Sequence, residues 1–117
     1  MLYPIFQYAY YVNDVEKAAL KWHRLYGAGP FALVPHHKTD KFEYRGTKQE
    51  ADVTYGFGYL GDIQIQFIQQ HDETPSIYRD MYQAGQEGFH HTACLVNDFA
   101  AARMRMHDLG FINACEL

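Results

Sequence analysis

The sequence predicts an α+β fold built from a β-α-β-β-β module whose opening strand and helix occur twice. Two observations carry the prediction. Residues 7–25 and 91–109 match at seven of nineteen positions without a gap, with "YVND" at 11–14 answered by "LVND" at 95–98. Between the copies lie three more segments with strand character, so one complete repeat reads strand, helix, strand, strand, strand.

Residues 5–12, "IFQYAYYV", are β-branched and aromatic enough for the first strand. Asn13 or Asp14 then caps a helix, its side chain accepting from free backbone amides. Val15, Ala18, Trp22, Leu25 and Tyr26 form one apolar stripe at helical spacing, and "GAGP" ends it. "PFALVP" at 30–35 is the next strand, returning through "KFEYRG"; the polar run 36–51 reads as a mobile loop or a lid. "DVTYGFGYL" at 52–60 and "DIQIQFIQQ" at 62–70 are strands joined by a tight turn near Gly61.

Alternation then assigns the faces. Ile63, Ile65 and Phe67 point one way, toward helices, while Gln64, Gln66 and Ile68 point the other. Tyr55, Phe57 and Tyr59 share a face, and Gly56 and Gly58 on the opposite face admit close approach by another group. "TPSIYRDMYQAG" carries a Thr or Ser cap and a glycine stop, hence a short linking helix. The second copy repeats the plan, with "HTACLV" as strand, Asn97 or Asp98 as cap, and a stripe of Phe99, Ala102, Met106 and Leu109 before Gly110. The organisation is therefore 1–73 for a first module, 74–87 for a linker with a short helix, and 88–117 for the start of a second.

Composition narrows the function classes. A chain of 117 residues, 48% apolar and 21% charged, fits one soluble domain. The net charge is −4 and the ten Lys and Arg are scattered, which speaks against nucleic acid as a partner. No signal peptide or membrane span is expected from the aromatic but interrupted start. Cys94 and Cys115 form no disulfide framework or CxxC pair, so a reducing cytoplasm is expected. The ten tyrosines suit either core packing or the walls of an organic-ligand pocket.

The segments "WHRLYGAGPF", "GDIQIQFIQQ" and "GFHHTACLVND", in this order and around an internal repeat, resemble the vicinal oxygen chelate superfamily. That is the glyoxalase, bleomycin-resistance and extradiol dioxygenase group, and the double histidine looks like its methylmalonyl-CoA epimerase-like branch. The resemblance implies paired modules forming a curved mixed sheet around a cavity, the second module incomplete here. It implies a divalent metal ion held by side chains of the first and fourth strands of each module, positions that fall on Gln7, Gln66 and His91. The fourth position would lie beyond Leu117. Gln66 stands where the family usually has glutamate, and an amide brings no charge and cannot act as a base.

Gln64 and Tyr11 are expected to contact the substrate. Lyase, isomerase, epimerase or dioxygenase-like chemistry on a small organic substrate, aromatic or acyl-thioester, is implied, in a homodimer. The other readings are a metal-free module that sequesters a hydrophobic molecule and an assembly subunit without a ligand. In a regular strand His90 would face away from His91 and be structural. His36 and His37, as neighbours, should diverge rather than pair on a metal. His23 and His107 read as surface residues, "HDE" at 71–73 as a solvated turn, and Asp14 and Asp98 as caps.

Overall fold

The computed structural model describes residues 2–38 and 42–116. Its main sheet has five strands in the order β2-β5-β6-β1-β7, taken from β1 (Ile5–Tyr11), β2 (Ala32–His37), β5 (Val53–Leu60), β6 (Ile63–Gln70) and β7 (Gly88–Cys94). β1 runs parallel to β6 and antiparallel to β7, so the opening strands of the two repeat copies lie side by side at one end of the main sheet, with β7 as its outer strand. A minor sheet joins β3 (Glu43–Tyr44), β4 (Thr47–Lys48) and β8 (Cys115–Glu116) in the order β4-β3-β8. This is the mixed α+β architecture expected, with a hairpin inside the polar run 36–51; residues 39–41 of that run lie outside the described residues.

Both long helices are capped as the sequence predicts. Asp14 accepts from the Lys17 amide to start α1 (Val15–Tyr26), and Gly27 ends it at φ 72°, a left-handed position that suits glycine. Asp98 accepts from the Ala101 amide to start α3 (Phe99–Asp108). The linking helix α2 (Ile77–Met81) is capped by the Ser76 hydroxyl and stops at Tyr82, three residues before the glycine expected to end it.

Alternation along β6 sorts the core into two layers. Ile65 and Phe67 meet Val12, Val15 and Ala19 on the side covered by α1. Ile68 joins Ala9, Tyr11, Val53, Tyr55 and Tyr78 on the other side, where α2 lies. Gly56 and Gly58 let β5 approach its cover: a Cβ on Gly58 would stand 2.6 Å from the Phe31 ring. α3 is different. Of its expected stripe only Ala102 is buried, while Phe99 and Leu109 are exposed, because no described strand lies beneath them. No described helix is long and apolar enough to cross a membrane.

Candidate functional site

The register of three strands builds a polar row on the face away from α1. Gln66 of β6 pairs with Ala9 of β1, and Ala9 pairs with His91 of β7. Ala9 is fully buried, and its methyl group fills little of the space between the amide and the imidazole. One step along the strands, Gln64, Gln7 and Ala93 form the adjoining row. Gln7 Nε2 donates to Gln64 Oε1 at 2.6 Å, which leaves the Gln7 carbonyl oxygen for other partners. The Gln66 amide makes no hydrogen bond among the described residues. The amide is therefore open to a partner from the cavity it lines.

β7 carries a bulge that alternation does not anticipate. Tyr10 pairs with Phe89 but Ala9 pairs with His91, so His90 is the extra residue and drops out of the ladder. His90 consequently turns to the same face as His91, correcting the opposed orientation expected of a regular strand. Its ring lies 5.0 Å from the Tyr78 ring. His90 Nε2 is 3.0 Å from the Ile77 carbonyl oxygen, and His90 Nδ1 is 2.8 Å from His91 Nδ1.

These contacts select the tautomers of both rings. A carbonyl only accepts, so His90 carries its proton on Nε2 and presents Nδ1 as an acceptor. His91 must then donate from Nδ1, and the lone pair of a neutral His91 ring sits on Nε2. Burial first, and the neighbouring His90 second, push the His91 imidazolium down to about 4. Burial also lowers His90, against the opposing effects of the Ile77 hydrogen bond and the Asp80 charge. Both rings are thus neutral at neutral pH.

This pair makes folding sensitive to mild acid. A histidine lowered in the folded state is protonated more readily when unfolded, so stability falls as pH drops from about 6.5 toward about 4. We expect melting temperature to decline through this window, and His91→Gln to flatten that part of the profile. An unchanged profile in the variant would contradict the assignment.

Gln7, Gln66, His90 and His91 line one open cleft of about 1040 Å³. Its other wall is α3 and the residues that follow it, including Phe99, Met106, Phe111 and Cys115. Cys115 is pushed up by burial and by the Glu116 charge. Glu116 supplies a carboxylate to the lining, tied to Arg103 at 2.8 Å. The three side chains expected at a metal therefore share a cavity, whereas the two expected at substrate do not line it. Gln64 stands behind Gln7 as its acceptor. Tyr11 is buried, stacked 5.7 Å from the Tyr82 ring, with its hydroxyl donating to the Gln70 carbonyl. His90, Arg103 and Glu116 were not singled out as site residues; the adjacent "HH" was the available signal for His90.

The donor set decides which cation it suits. Two amide oxygens and one imidazole nitrogen can ligate a divalent ion, but all three are neutral. A bound cation would keep its charge in the cleft, so the arrangement fits a metal that meets an anionic ligand there.

The fold is similar to the crystal structure of methylmalonyl-CoA epimerase from Mycobacterium tuberculosis, with a TM-score of 0.61 and 20% sequence identity over 91% of this chain and 63% of that one. This chain thus spans less than two thirds of the length of that structure, and the likeness is one of fold. No curated protein sequence matches the chain. The family described as the Glyoxalase/Bleomycin resistance protein/Dioxygenase superfamily matches residues 6–116, a span that takes in both repeat copies and all three cleft positions. The chain belongs to the Glyoxalase/Bleomycin resistance protein/Dioxygenase superfamily.

Proposed function

We propose that the cleft binds one divalent metal ion through Gln7, Gln66 and His91, and that the protein is an enzyme of lyase, isomerase or epimerase type. The observation that carries this reading is the convergence of the three side chains on one cavity, with the free lone pair of His91 assigned to Nε2. Bound there, a metal would act as a Lewis acid toward substrate oxygens. The chain's own groups suggest the substrate. Neutral ligands favour an organic acid or an enolisable acyl compound that brings negative charge, and the apolar wall with Phe99 and Met106 suits an organic body or a thioester arm. His90 holds the His91 ring in the ligating tautomer. Gln66 cannot take up a proton, so proton transfer in an epimerase-type step would fall to another group.

Dimerisation belongs to the same proposal. β2 and β7 are outer strands of the main sheet, and α3 exposes Phe99 and Leu109. A second copy is the partner that family resemblance supplies for such edges, in a cytoplasmic setting consistent with two free cysteines.

Metal analysis tests the reading. Protein loaded with a divalent ion should lose one equivalent per chain on His91→Ala, together with any exchange of α-protons of acyl thioesters in deuterated water. Metal content untouched by the substitution would sink it. The neutral donors and apolar wall favour one second reading, a sequestering module for a hydrophobic molecule. That reading predicts uptake of an apolar fluorescent probe with no metal requirement.

A further inference from the structure

The opposite face of the sheet carries a second group of ligating side chains. Asp52, immediately before β5, and Thr54 within it alternate with Val53 and Tyr55, and His71 follows Gln70 at the end of β6. Val53 and Tyr55 belong to the core layer on the cleft side, so alternation sends Asp52 and Thr54 to the α1 side. The edge strand β2 is irregular between Val34 and His37, where His36 has a left-handed backbone at φ 45°. That irregularity separates the two neighbours. The His37 ring packs 6.2 Å from Tyr55, whereas His36 Nδ1 lies 3.0 Å from Asp52 Oδ1.

The His36 and His71 rings stack with centroids 4.1 Å apart. Thr54 orders both: its hydroxyl accepts from the His36 backbone N–H at 3.1 Å and lies 2.6 Å from His71 Nε2. The His71 backbone N–H donates to the Asp52 carbonyl at 2.8 Å, closing the last rung between β5 and β6. One ligand atom from each of His36, Asp52 and His71 lies within 4.8 Å of the other two. Three strand ends therefore bring two imidazoles and one carboxylate together. The sequence offered no sign of this, since the three residues are far apart in the chain and "HDE" reads as a turn.

We propose that His36, Asp52 and His71 form a second divalent-metal site, distinct from the cleft, for an ion of the zinc class. Two nitrogens and one carboxylate oxygen suit a borderline-soft first-row ion, whereas magnesium and calcium prefer all-oxygen sets. Tetrahedral bonds of about 2.0–2.1 Å place ligand atoms about 3.3 Å apart, so the donors must draw together on binding. His36 and His71 are exposed and Asp52 is half-buried, which leaves their side chains free to make that adjustment. The carboxylate offsets part of the ion's charge, an advantage that the three neutral donors Gln7, Gln66 and His91 lack. Three protein ligands leave a fourth position for water, and the ion would tie the irregular end of β2 to β5 and β6.

The test uses the full chain carrying His91→Ala, which removes the ligating imidazole proposed for the cleft, and Zn²⁺ alone as the probe. One equivalent retained through gel filtration, with a raised melting temperature, is the expected result. Adding His36→Ala and His71→Ala together should abolish that equivalent, and Asp52→Asn, which keeps the side-chain shape, should weaken binding at least tenfold. Melting temperatures without zinc check that the variants remain folded. Zinc retained by the triple variant, or no zinc retained by the His91→Ala chain, would overturn the proposal. The cleft reading fails separately, when His91→Ala leaves metal content unchanged.

Discussion

Replacing Phe67 by alanine is expected to cost about 3–5 kcal/mol, the range for deleting a buried aromatic ring. Phe67 is 1% exposed on β6, a strand flanked on both sides by others. Its ring contacts Trp22 and Phe31, each with centroids 5.5 Å away, and Tyr10 at 6.3 Å. These neighbours come from α1, the segment before β2, and β1, so no single rotation fills the space left behind. Against a typical total of about 5–15 kcal/mol, such a loss brings the chain close to unfolding. Urea denaturation should show a lowered midpoint with an unchanged slope. A loss below about 1 kcal/mol would mean that α1 does not pack on β6 as described.

Gly56→Ala is expected to be the more costly of two small substitutions on one strand. Its new methyl group would stand 2.7 Å from Val15 Cγ1 and 3.2 Å from Leu33 Cδ2. Val15 is 1% exposed, and a β-branched side chain in a helix has one strongly preferred rotamer, so it cannot swing aside. α1 must lift off the sheet instead, at about 1–3 kcal/mol for overpacking of this kind. Gly58→Ala meets the ring of Phe31, which is only partly buried and can move, so its cost should be smaller. Thermal melts of the two variants measure the difference. Equal losses, or the reverse order, would contradict this view of the helix and sheet.

Period-2 alternation in "IQIQFIQQ" placed Gln66 on the side away from α1, and the internal repeat equated Gln7 with His91. Both are local patterns, readable because strand geometry sends alternate side chains to opposite faces. The Asp14 and Asp98 caps were legible for a similar reason, since the bond each makes spans three residues. What escaped depends on pairing between distant segments. The bulge at His90 exists only relative to β1, and it reverses the face inferred for that residue. Gln64 and Tyr11 share the site's side of the sheet, yet one is held by Gln7 and the other is sealed beneath Tyr82. The group at His36, Asp52 and His71 requires β2, β5 and β6 to end together, which no local pattern encodes.

The central claim is that His91 presents its Nε2 lone pair to the cleft and takes a metal there. Nitrogen-15 NMR of the imidazole side chains tests it most directly, with Zn²⁺ added to the His36→Ala, His71→Ala chain so that only the cleft responds. The account predicts a neutral His91 ring at pH 7 with its proton on Nδ1, and a shift of Nε2 on adding one equivalent of the ion. A His91 ring protonated on Nε2, or one indifferent to the ion, would contradict it.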